Sequence, residues 1–148
     1  MSGDTDLIKL YSQRVLALAA DMPHAERLAA PQVTARKRSP LCGSTVTVDL
    51  DLQDGRIVAF GQDVKACALG QASAAVLGRQ VIGLSRSEVA RARDQLYAML
   101  KSGGPVPEPP FEDLEVLLPA RDYKNRHASI LLAFDATLAA CDEALAAA

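Results

Sequence analysis

Thr45-Val46-Thr47-Val48-Asp49-Leu50-Asp51-Leu52 leads through Gln53-Asp54-Gly55 into Arg56-Ile57-Val58-Ala59-Phe60-Gly61-Gln62-Asp63-Val64, and this stretch decides the fold. The first run alternates strictly, with Val46, Val48, Leu50 and Leu52 on one face and Thr47, Asp49 and Asp51 on the other. That period of two predicts a strand with one buried face. Gln53-Asp54-Gly55 is turn chemistry and the second run is rich in β-formers, so together they predict a hairpin with arms of nearly equal length. Such a hairpin returns the chain to its starting point. Cys42 and Cys67 lie just beyond its open end and are expected to meet in space. Two thiols gathered on loops at one end of a sheet form a sulfur site, a metal site or a disulfide.

Composition bounds the rest. A chain of 148 residues, 49% apolar and 23% charged, fits a single domain spanning 1–148 with room for a core. Net charge is −2, which removes any global electrostatic case for nucleic acid. The basic run Arg36-Lys37-Arg38 reads as a solvated loop. No stretch approaches the ~20 apolar residues of a membrane span. Asp4, Asp6, Lys9 and Arg14 interrupt any signal-peptide pattern at the N-terminus. Three cysteines, an odd count without an export signal, point to reduced thiols and a cytoplasmic location.

Around the hairpin the chain reads as helices. Leu7, Leu10, Tyr11, Val15 and Leu18 recur at helical spacing behind Asp4 or Thr5 as caps, giving a helix over about 6–20. Residues 21–39 read as a loop with a short strand at Gln32–Ala35. Leu69–Leu77, built of Ala, Gly and Ser, is a short helix suited to close packing. Ser85 with Glu88 is a capping box that opens a helix to Leu100, with Val89, Leu96 and Leu100 coreward. Ser102-Gly103-Gly104-Pro105 stops it, a proline-rich connector follows, and Phe111–Leu118 form a short helical turn. The last helix runs over Lys124–Ala147 behind Asp122 or Asn125, with Ile130, Phe134, Leu138, Cys141 and Leu145 as its buried stripe. The order predicts an α+β domain: a small antiparallel sheet with helices on one face.

Cys67 carries the chemistry most directly, because it precedes a helix whose N-terminal N–H groups and partial positive charge favour a thiolate. Lys65 adds to this if it folds back. Cys42 has the flexible Gly43 beside it. The bland alternative is that both cysteines are small buried hydrophobes. His127, at the first turn of the last helix, faces roughly coreward and joins the cysteines only if that helix end meets their loops. Cys141 lies about 21 Å further along the same helix at 1.5 Å per residue, so it is core packing. Cys42, Cys67 and His127 make an incomplete zinc-type set, and Ser44 supplies only a hydroxyl. An open metal site and a sulfur-accepting thiol pair both fit. Nothing suggests an enzyme in its own right: Gly78, Gly83, Gly103 and Gly104 punctuate helices, and Asp49 and Asp51 read as a solvated strand face.

These residues resemble the NifU/IscU/SufU family of iron–sulfur cluster assembly scaffolds over nearly the whole chain. Leu10-Tyr11 is similar to the family's opening helix, Cys42-Gly43 to its P-x-C-G-D loop, and Ala66-Cys67-Ala68-Leu69-Gly70-Gln71-Ala72-Ser73 to the SufU-type G-C-x-x-x-Q-A-S segment. His127-Ala128-Ser129-Ile130-Leu131 resembles the IscU-type H-C-S-I-L. The resemblance implies a SufE/NifU-like fold and a site for a transient iron–sulfur cluster or zinc at Cys42, Cys67 and His127. It also implies Cys42 and Cys67 as sulfur acceptors, a SufS-like cysteine desulfurase as partner, and downstream cluster carriers. Ser44 stands where the family has aspartate and Ala128 where it has its third cysteine. Leu118-Pro119-Ala120-Arg121 replaces the L-P-P-V-K segment, so no dedicated Hsp70-type chaperone is expected. The long insertion between Leu84 and Leu117 is more like the SufU branch. Two other functions follow from the incomplete ligand set: a non-catalytic desulfurase-binding regulator, and a zinc-binding structural module.

Overall fold

The computed structural model describes residues 12–40 and 43–147. Helix α1 (Gln13–Ala20) leads to strands β1 (Val33–Arg38), β2 (Thr45–Gln53) and β3 (Arg56–Lys65). Helices α2 (Ala68–Gln80) and α3 (Arg86–Lys101), a 3-10 segment (Glu112–Asp122) and the long helix α4 (Lys124–Ala147) follow. The sheet is antiparallel in the order β1-β2-β3. This is the expected α+β architecture.

The hairpin forms for the reason its sequence suggests. Gln53 pairs with Arg56 around Asp54 and Gly55, whose φ values of 53° and 77° make the left-handed two-residue turn that matches strand twist. Asp51 pairs with Ala59 but Leu52 with Ile57, so Val58 is the extra residue of a bulge. Val46, Val48 and Leu50 point into the core against α4, as their alternation requires. Ser85 and Glu88 close the capping box at the start of α3, worth about 1 kcal/mol to a helix.

Several expectations need correction. The basic run is not a loop: Arg36, Lys37 and Arg38 are the exposed end of β1, which is an edge strand longer than foreseen. Charged side chains on an edge discourage pairing with other chains, so the composition suits the position. The Asp49 face of β2 is not solvated. Residues 22–28 round the free edge of β3, where Gln62 N–H donates to His24 O, and cross the outer face of the sheet. Gly61 makes that crossing possible, because a Cβ there would collide with Glu26 O. Asp49, fully buried, fastens this strap by accepting from the Arg27 guanidinium, the Leu28 amide and the Thr34 hydroxyl. Burial alone would push its carboxyl up, but those donors hold it below the usual carboxylate range.

Helix α4 also departs from the simple stripe. Ile130, Phe134 and Cys141 are buried, whereas Leu138 is partly covered and Leu145 is exposed. The helix runs between the sheet, α2 and α3, so all six residues of 129–134 are buried. Asn125 falls inside α4 and so is not its cap. Val15 and Leu18 of α1 are buried as expected, and Ser12 caps this stretch through the Val15 amide. Leu7, Leu10, Tyr11 and the caps Asp4 and Thr5 lie outside the described residues. Gly78 does not punctuate a helix. It sits inside α2, where a Cβ would meet Gln62 Nε2 and Pro23 Cγ at 2.8 Å.

Candidate functional site

Three segments converge at one end of the sheet. The first is the β1–β2 connection, drawn tight by Ser39 N–H to Ser44 O and Gly43 N–H to Ser39 O, each 2.8 Å. Gly43 takes a left-handed φ of 71°, which suits glycine. Cys42 belongs to this connection in sequence and lies outside the described residues. The second segment is Lys65-Ala66-Cys67, where β3 passes into α2. The third is the first turn of α4.

Cys67 is the N-cap residue of α2, extended at φ −66° and ψ 169°, with a half-buried side chain. Two residues of the following turn fix it there. Gln71 Nε2 donates to Ala66 O at 2.9 Å, holding the backbone just before the thiol. Ser73 Oγ donates to Ile130 O at 2.7 Å, docking α2 onto α4. The Cys-x-x-x-Gln-Ala-Ser spacing therefore has a physical purpose: one side chain grips the loop, the other grips the neighbouring helix.

Ser129 joins the segments. Its hydroxyl lies 3.0 Å from Ser44 Oγ and 3.6 Å from Cys67 Sγ. The approach depends on Gly70, since a Cβ there would come within 2.6 Å of Ser129 Oγ and 2.9 Å of Ala66 Cβ. Reading the sequence for ligand types overlooked Ser129 and Gly70. The available signal was Gly70, a glycine inside a helix-forming run where close approach of a neighbour is the usual reason for one.

His127 sits two residues earlier on α4, about 200° around the helix from Ser129. Its ring is buried, and Nε2 lies 2.8 Å from Ala120 O, so Nε2 carries the proton and donates to that carbonyl. Nδ1 is then a bare lone pair, buried and without a hydrogen-bond partner among the described residues. Burial, reinforced by Lys101 and Lys124, lowers its pKa and keeps the ring neutral, despite the opposing pull of the Ala120 carbonyl. No hydrogen bond links His127 to Cys67, Ser44 or Ser129 among the described residues.

Lys65 reaches Asp63 at 3.9 Å rather than folding back over the thiol. Cys141 is core packing as expected, its thiol pushed up to about 11 by burial and by Asp142. Among the described residues no three His, Cys, Asp or Glu side chains converge on a metal-sized space. Cys42 is outside that set. None of the helices in the described residues is long and apolar enough to cross a membrane.

An antiparallel sheet packed on a long central helix, with a thiol at a strand–helix junction, has counterparts among solved structures. A crystal structure of a nitrogen-fixing NifU-like protein (N-terminal) from Brucella abortus is 46% identical over 97% of this chain and 99% of that one, with a TM-score of 0.93. The chain belongs to this NifU/IscU/SufU-like family. A putative iron–sulfur cluster assembly scaffold protein for the SUF system, from the thermophilic Fervidobacterium islandicum AW-1, is 19% identical, with 90% of this chain and 98% of that one covered at a TM-score of 0.81. A hypothetical protein of known structure is 20% identical, with 91% and 98% covered and a TM-score of 0.77. At those identities the two show the fold alone. No family model and no curated protein matches the chain.

Proposed function

We propose that this protein works in iron–sulfur cluster assembly, receiving sulfur at Cys42 and Cys67 from a cysteine desulfurase and holding the nascent cluster only briefly. Sulfur and iron are its cargo. The observation that carries this reading is the bridge from Cys67 through Ser129 to Ser44, which ties a half-exposed thiol to the loop containing Cys42.

The transfer step is a thiol–persulfide exchange. A thiolate of Cys67 or Cys42 attacks the outer sulfur of the desulfurase persulfide. The new S–S bond forms on this protein, the old one breaks, and the desulfurase cysteine leaves as its thiolate. No net oxidant is consumed. The protein acts as a stoichiometric acceptor, with turnover belonging to the desulfurase.

His127 is the third candidate ligand. Its side chain leaves α4 about 200° from the Ser129 that meets Cys67, so it joins Cys67 at a cluster only when the first turn of α4 rearranges. Donation from Nε2–H to a backbone carbonyl is the arrangement that orients a metal-binding imidazole and leaves the other nitrogen free. The orphaned, buried Nδ1 fits that role. Two thiolates and one imidazole are a sparse set for iron–sulfur ligation, where soft thiolates dominate. Ser44 and Ala128 supply a hydroxyl and nothing, so the cluster is held loosely and passed on. The same two residues favour a second reading, a protein that docks on the desulfurase and regulates it without binding a cluster.

Anaerobic reconstitution with iron, cysteine and a desulfurase separates them. Bound iron and sulfide in the wild type, lost in Cys42→Ser and Cys67→Ser and reduced in His127→Ala, supports transient assembly. Desulfurase binding with no iron or sulfide retained in any variant leaves the regulator.

A further inference from the structure

An open groove of about 590 Å³ runs beside this site, between the end of β1, α3 and α4 from Ala128 to Asp142. Its volume falls within the ~300–1,000 Å³ of small-molecule sites. The floor is apolar, formed by Leu131, Leu132 and Leu138, and the rim is charged. Arg93 and Asp135 satisfy each other there at 2.9 Å, and Asp142 is taken by Arg86 at 2.9 Å. Both carboxylates of the groove are thus already neutralised. Lys37, which pairs with Val46 on the α4 face of the sheet, and Lys101 have no carboxylate within ion-pair distance among the described residues. Two uncompensated cations over an apolar floor, in a protein of net charge −2, are a local reversal of sign.

We propose that this groove binds a small polyanion, a molecule with two or more carboxylate or phosphate groups, held by Lys37 and Lys101 over the leucine floor. Concave surroundings concentrate the field of the two cations and favour a compact multivalent anion over a monovalent one. Ala128 forms part of the wall and precedes Ser129, so the bound ligand lies next to the turn that meets Cys67. The proposal is independent of whether the thiols accept sulfur.

The test is titration of metal-free protein, labelled for amide NMR, with citrate and with pyrophosphate, and with triethyl citrate as the uncharged control. Sub-millimolar, salt-sensitive binding of citrate or pyrophosphate is expected, with shifts centred on Lys37, Lys101, Ala128 and Leu132. The stronger of the two anions identifies a carboxylate or a phosphate ligand. Lys101→Gln and Lys37→Gln, both exposed substitutions that leave the fold intact, should each weaken it about tenfold. Absence of saturable shifts for both anions, equal binding of triethyl citrate, or unchanged affinity in the two variants would overturn the proposal.

Discussion

Ser129 Oγ lies 3.6 Å from Cys67 Sγ and 3.0 Å from Ser44 Oγ, so one hydroxyl on the central helix touches both the thiol and the β1–β2 connection. The position of the thiol is therefore set by α4, not by its own loop alone. Anything that moves the first turn of α4 should be felt at Cys67.

Gly70→Ala tests that coupling. The new Cβ would meet Ser129 Oγ at 2.6 Å and Ser129 O at 3.1 Å, on a packed helix–helix contact. Overpacking of this kind costs about 1–3 kcal/mol. Denaturant unfolding should show a loss in that range, and the alkylation rate of Cys67 should change with it. A substitution that leaves both unaltered would mean the two helices are free to part.

The Asp49 strap predicts a stability step in acid. Its folded-state pKa is depressed, so its contribution is fully present above the unfolded value near ~4 and is lost as pH falls through the lower folded value. Wild-type stability should therefore decline below about pH 4. Asp49→Ala leaves the Leu28 amide and the Thr34 hydroxyl without their acceptor, at a cost of about 2–3 kcal/mol near neutral pH, and should lack this step. Urea midpoints at a series of pH values read both effects.

His127 gives a second, separate window. A buried neutral imidazole with a lowered pKa stabilises the fold above the unfolded value of ~6.5, and that contribution is lost as pH falls towards its folded value. Midpoints should begin to drop below about pH 6.5 in the wild type. A flat profile between pH 7 and 5 would show that the ring protonates freely.

Cys67 and Cys141 should differ sharply in reactivity. Cys141 is buried with its thiol raised to about 11, so iodoacetamide at pH 8 should leave it intact in folded protein and label it only after unfolding. Peptide mapping should find Cys67 modified first.

The sequence was most legible where the cause is local. Period-two alternation, Asp54-Gly55 and the Ser85–Glu88 pair each act within a few residues, and each appears where expected. It was least legible where distant segments decide. Asp49 looked solvated because nothing nearby announces that residues 26–28 will cross over it. Leu138 and Leu145 looked like core because a one-sided stripe was assumed for a helix that is in fact enclosed over residues 129–134 and open towards its end. At the site, Cys67 and its helix were readable from spacing, whereas Ser129 as the joining residue depended on the α2–α4 crossing.

The central claim is that the thiols of this protein accept sulfur. The direct measurement is intact-protein and peptide mass spectrometry after incubation with a cysteine desulfurase and cysteine, with thiols trapped by alkylation before and after reduction. The account predicts a reducible addition of one sulfur on Cys67 or Cys42, absent from Cys141, and abolished only when both Cys42 and Cys67 are replaced. Desulfurase turnover with no persulfide on either residue would contradict it.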